Sequence, residues 1–136
     1  MADSAPYVRV IEADVPAVST AGNDDDTVLT QAPFDCTVTA VEYVPEAAIT
    51  GAATNHRTFS LVNKGAAGSS STTVASLAFD SGSVTATANN EKAITLSGTA
   101  ANLDLAAGDT LLWRSVHIGT GITDPGGLVR VTVARR

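Results

Sequence analysis

The sequence is short of most of the residues that carry chemistry. It has one cysteine, Cys36, so no internal disulfide is possible, and two histidines, His56 and His117, with no partner at metal-ligand spacing. Three Phe, two Tyr and one Trp leave little for the stacking platforms of a sugar cleft. Eight Lys and Arg against fourteen Asp and Glu give a net charge of -6, without the basic footprint of a nucleic-acid binder. No apolar run reaches the length of a membrane span. The first residues, "MADSAPYVRV", carry acid where a secretory leader has a basic start, so the expectation is a protein made and kept in a cytoplasm.

What is present is Ala, Val, Thr and Ser. A chain of 136 residues that is 44% hydrophobic and only 16% charged has the makings of one packed domain, and its β-branched content favours strands. The extended segments are "YVRVIEA" (7–13), "TVLTQ", "DCTVTAVEYV" (35–44), "RTFSLVNK" (57–64), "TVASLAFD" (73–80), "EKAITLS" (91–97), "TLLWRSVHI" (110–118) and "GLVRVTVAR" (127–135). In the last, Val129, Val131 and Val133 face in while Leu128, Arg130 and Thr132 face out. In 35–44, Cys36, Val38 and Ala40 share one face and Val41 and Tyr43 the other, which predicts a bulge or bend near Ala40. In 110–118 either Leu111 and Trp113 or Leu112, Val116 and Ile118 point inward. "EAAITGAATNH" reads as a helical turn or a long loop. This spacing predicts an all-β fold, an antiparallel β-sandwich of jelly-roll type with about eight strands. Residues 1–30, rich in acid and holding Pro6 and Pro16, read as an N-terminal arm or edge-strand segment, and 31–136 as the sandwich domain.

The glycines of "GTGITDPGG" (119–127) have the look of a phosphate cradle, but such a cradle needs a helix at its end, and a strand follows. They read as a loop joining two antiparallel strands, with Asp124, Pro125 and Gly126 as turn residues. No Gly-x-Ser-x-Gly elbow occurs, and Asp24, Asp25 and Asp26 lack the interleaved ligands of a calcium loop. No catalytic residue, metal ligand or cofactor-binding residue is assigned. One asymmetry remains: residues 1–54 hold nine acids and a single base, Arg9, whereas 110–136 hold Arg114, Arg130, Arg135 and Arg136 against Asp124 alone. These opposite charges meet either within one sandwich or between copies, where they set a head-to-tail orientation.

The phrases "VTAVEYVPEAAITGAATNHRTFSLVNKG", "LAFDSG" and "LSGTAANLDLAAGDTLLWRSVHIGTGITDPGGLVRVTV" resemble small head decoration (capsid-stabilising) proteins of tailed bacteriophages, notably those of actinobacteria. The likeness runs from about Thr37 to the C-terminus. It implies a non-enzymatic virion protein on the outer surface of an assembled capsid, put together in the host cytoplasm. Its partners would be the major capsid protein and copies of itself, as a homotrimer, with no nucleic acid and no membrane. The alternative is an adhesin module of a phage tail or fibre that binds a host-surface glycan. Interface candidates are Tyr7, Arg9 and Ile11, whose strand is able to add to a neighbour, and Arg130, Arg135 and Arg136 from the basic end of the chain.

Overall fold

A computed structural model describes residues 7–136. Its strands are β1 (Val8–Val15), β2 (Asp25–Gln31), β3 (Cys36–Pro45), β4 (Ile49–Thr50), β5 (His56–Asn63), β6 (Thr72–Ala78), β7 (Thr85–Ala86), β8 (Lys92–Ala93), β9 (Asp104–Leu105), β10 (Thr110–Ile118) and β11 (Gly127–Arg135). One sheet runs β1-β11-β3, with β8 and β9 both on the far edge of β3; the other runs β2-β10-β5-β6, and β4 pairs with β7 apart from both. With β8 and β9 taken as one position, the chain fills eight positions in the orders 1-8-3-6 and 2-7-4-5. That is jelly-roll topology, two antiparallel sheets wound together. The strand count exceeds the expected eight by β4, β7 and β9, each only two residues long, and the strand expected over 91–97 is reduced to Lys92–Ala93. Pairs that short are too brief to show a period-2 pattern.

Alternation explains which side chains meet between the sheets. Val129, Val131 and Val133 are buried on β11, and Leu111 and Trp113 settle the choice on β10. On β5, Phe59 and Leu61 point the same way. Tyr43, Phe59, Phe79 and Trp113 form the aromatic centre, with ring centroids 5.0 Å apart for Tyr43 and Phe59 and 5.5 Å for Phe59 and Phe79. Each such buried side chain contributes about 1.5–3 kcal/mol relative to an exposed one. The bulge expected in β3 is present, as a register shift opposite Thr132 and Val133, but its consequence differs from the expectation. Thr39 is the extra residue, so Cys36 and Val38 share the inner face with Val41 and Tyr43, and Ala40 turns outward. Burial raises the Cys36 thiol pKa and leaves it a small core hydrophobe.

The two flanks of the sandwich are unlike. On one, the chain from Lys92 to Leu105 crosses between the sheets: Ile94 N–H donates to Val41 O on one side, and Ser76 N–H to Thr95 O on the other. On the opposite flank, β1 and β2 are the outer strands of their sheets. Residues 7–30 are thus edge strands and the turn between them; residues 1–6, which belong to the arm as read from sequence, lie outside the described residues.

Candidate interaction surface and its buried support

The connections at one end of the sandwich are tied together by Arg57, which occupies the first inward position of β5 and is 0% exposed. Its Nε donates to Ile122 O at 2.8 Å, one terminal nitrogen to Ser115 Oγ at 3.1 Å, and the other to Ala21 O and Asn23 O, both at 3.0 Å. The negative partner is Asp124, which accepts from Tyr43 OH at 2.6 Å, from Ser115 Oγ at 2.9 Å and from Gly126 N–H at 3.0 Å. Burial lowers the Arg57 pKa, and the nearby Asp124 charge opposes that fall. Burial, followed by Asp124, pushes the Tyr43 phenol far above its ordinary range. The network's one hydroxyl–carboxylate pair besides Tyr43, Ser115 with Asp124, is enclosed, each residue being 2% exposed. The effect of the network is to fasten the β1–β2 and β10–β11 connections to β5.

The glycines of 119–127 belong to this fastening. The segment passes from one sheet to the other, since β10 and β11 lie in different sheets, rather than turning within a sheet. Gly121, at φ +76°, sits so near the β1–β2 connection that a Cβ would lie 2.0 Å from Ala21 O. Asp124 and Val18 exchange backbone hydrogen bonds at 2.8 and 3.0 Å. These glycines provide close approach of backbone to backbone, not an anion cradle.

The three consecutive aspartates are likewise occupied within the chain. Asp24 accepts from His117 N at 2.8 Å and lies 2.6 Å from its Nδ1; Asp25 accepts from Thr27 Oγ1 at 2.7 Å; Asp26 takes both Nε and a terminal nitrogen of Arg114, at 3.0 and 3.2 Å. The backbone N–H of His117, then its ring, holds the Asp24 pKa below its ordinary value, and Asp26 raises that of Arg114. Among the described residues no group of three or more His, Cys, Asp or Glu is placed to hold a metal ion. Nor is any helix among them long and apolar enough to cross a membrane.

Of the sequence-derived interface residues, Tyr7, Arg9 and Ile11 fall on the open flank, whereas Arg130 lies mid-sheet and Arg136 reaches toward β3 and β9. Tyr7, Arg9 and Ile11 come together on and just before β1. Arg135 donates its backbone N–H to Tyr7 O at 2.8 Å, and its guanidinium lies 5.0 Å from the ring of Phe34, which meets Tyr7 edge-on at 5.4 Å. Arg130 lies on the outer face of its sheet between two carboxylates, 3.8 Å from Glu12 and 3.4 Å from Glu42. Arg136 reaches back to Cys36 O and Leu105 O at 3.2 and 2.7 Å and to Asp104 at 3.9 Å. The opposite charges of the chain ends therefore meet inside one chain. The reason is topological: β1 is the hydrogen-bonded neighbour of β11, and β2 of β10.

Sequence reasoning missed Phe34 and Val28 on this surface. Phe34 sits in the β2–β3 turn, where no periodicity marks it. Val28 lies opposite the outward Leu112 and is 65% exposed.

No protein-family model matches the sequence, and no curated protein does. The structure is similar to a chain in the structure of infectious bursal disease virus Gx strain, with a TM-score of 0.44 and 12% identity. The similarity covers 94% of this chain and 32% of that one, so this chain spans about a third of the length of the neighbour.

Proposed function

We propose that this is a non-enzymatic virion protein that binds the outer surface of an assembled phage capsid and stabilises it, with the major capsid protein as its partner. The observation that carries this reading is the placement of exposed apolar side chains. Of the five large ones among the described residues, Tyr7, Val8 and Val10 lie on or just before the edge strand β1, and Val28 lies on the outer face of the edge strand β2. Apolar residues gathered at unpaired sheet edges mark a surface that another polypeptide covers. Behind them stand a packed aromatic core and the Arg57 fastening, which make the flank a rigid support. A protein that must hold neighbouring shell subunits against internal pressure needs this combination. The resemblance to phage head decoration proteins points the same way and adds the homotrimer to the proposal.

The experiment is to mix purified protein with shells that lack it and then apply heat or osmotic shock. Saturable binding to the outer surface, seen by cryo-electron microscopy, and a raised rupture temperature are the expected results. Protein that ignores shells but binds a host-surface glycan would replace this reading with the tail-adhesin one.

A further inference from the structure

Resting on that reading, we infer that the open flank takes one extended strand from a capsid subunit, added antiparallel to the free edge of β1, and that Arg9 selects a carboxylate on that strand. The register of β1 on β11 sets out which groups are available. The bond from Arg135 N–H to Tyr7 O fixes the odd-numbered residues of β1 as those that exchange hydrogen bonds with β11. Val8, Val10, Glu12 and Asp14 therefore turn their N–H and C=O groups to the unpaired side. The corresponding side of β3 on the other flank is taken by β8, β9 and the chain between them.

Side chains give the added strand its specificity. Arg9, Ile11 and Ala13 stand opposite the inward Val133, Val131 and Val129, so Arg9 and Ile11 point toward the groove between the sheet edges. With Val10, Glu12, Thr30, Gln31 and Pro33 they line a space of about 280 Å³. Val8 and Val10 stand on the outer side of β1. Arg114, Arg130 and Arg136 each have a carboxylate within the chain, and Arg135 has the Phe34 ring. Arg9 has no ion-pair partner among the described residues, although the protein is strongly anionic. An incoming strand placed antiparallel meets Ile11, Val10, Arg9 and Val8 in that order. The matching segment reads apolar, apolar, acidic, apolar. Backbone bonding supplies the affinity, and the acid opposite Arg9 fixes the register.

A second copy of β1 does not meet this requirement. Paired with itself over its full length in the same hydrogen-bonding phase, it sets Val8 against Asp14, Val10 against Glu12 and Arg9 against Ala13. The cation finds no acid, and the valines meet carboxylates.

The test uses the full-length protein with two probes. The first is a synthetic octapeptide with apolar, apolar, acidic and apolar residues at its four central positions and threonine elsewhere, compared with the same peptide carrying lysine for the acid. The acidic peptide should shift the amide resonances of Val8, Val10 and Glu12, bind about tenfold or more tightly than the lysine peptide, and lose that preference in Arg9→Glu. Equal binding of the two peptides, or no perturbation of these amides, overturns the inference. The second probe is the undecorated shell. Val10→Pro blocks the free edge without removing a bond to β11, because the N–H of residue 10 faces away from it. Val10→Pro and Arg9→Glu should each weaken shell binding about tenfold or more at an unchanged melting temperature, while Lys92→Glu on the opposite flank has no effect. Wild-type protein that fails to bind shells defeats the capsid reading, and the peptides still decide the strand. Wild-type protein that binds shells no better than both variants defeats the strand and leaves the capsid reading standing.

Discussion

Both ends of this sandwich are held by arginines that reach across chain segments far apart in sequence, but in opposite surroundings. At the end of the β10–β11 connection, Arg57 is enclosed and hydrogen-bonded to three backbone carbonyls and a serine. At the end where the chain terminates, Arg135 lies over Phe34 and Arg136 spans Cys36 and Leu105, with the Arg136 side chain 43% exposed. The carbonyl contacts of Arg57 and Arg136 are similar in kind and length. Their energetic weight differs because water competes at one end and is excluded from the other: a buried charge stripped of its partners has nothing to replace them, whereas an exposed one is resolvated. The enclosed end therefore sets stability. The exposed end is left able to accommodate a partner at low cost.

Replacing Arg57 with Met gives the largest effect. It leaves the carbonyls of Ala21, Asn23 and Ile122 unsatisfied and Asp124 as an uncompensated buried charge, so a loss of about 3–5 kcal/mol is expected in chemical denaturation. A loss under about 1 kcal/mol would mean that solvent reaches this end and that the contrast does not exist. Tyr43→Phe probes the same network more gently. The ring stays in the core, and only the 2.6 Å bond to Asp124 is lost, at an expected cost of about 1.5–3 kcal/mol for a hydrogen bond to a charged group. At the other end, Arg135→Ala removes a cation from an exposed ring and should cost about 0.5–1 kcal/mol or less by the same measurement. A larger loss there would bring the two ends level.

The contrast also marks what the sequence could disclose. The inward Val129, Val131 and Val133 and the outward Arg130 follow from alternation, because β11 is long, regular and covered on one side only. Arg57 carried the same signal: it shares parity with Phe59 and Leu61 in "RTFSLVNK", which places it inward. That signal is easily discounted, since an arginine at the end of a strand is ordinarily solvated. Asp124 was legible as a turn residue and not as a buried anion, because its partners Tyr43 and Ser115 come from different strands. The opposite charges at the chain ends were visible in composition. That they meet within the chain depends on β1 lying beside β11 and β2 beside β10, a matter of topology that no local pattern encodes. The edge position of "YVRVIEA" rests on the same topology, so Tyr7, Arg9 and Ile11 were identified as a surface strand before its free side was known.

The smallest effect separates burial from position. Asp24 and His117 lie at the enclosed end, next to Asn23, whose carbonyl binds Arg57, yet the Asp24 side chain is 50% exposed. If proximity to the network mattered, this pair would behave like Arg57; if exclusion of water matters, it behaves like a surface contact. The Asp24 carboxyl is held below its ordinary value, first by the backbone N–H of His117 and then by the ring. A carboxyl whose folded pKa is depressed stabilises the fold above its unfolded pKa of about 3.9, and that contribution disappears as pH falls through the lower folded value. Asp24→Asn keeps an oxygen to accept the His117 N–H but cannot carry the charge. The variant should thus be less stable than wild type near neutral pH by no more than about 1 kcal/mol, and the gap should close as the pH drops below about 4. Urea denaturation of both proteins across that range is the measurement. A gap that persists at low pH would assign the contribution to packing rather than charge, and a gap of about 3 kcal/mol or more would show that nearness to the Arg57 network, not burial, confers the weight.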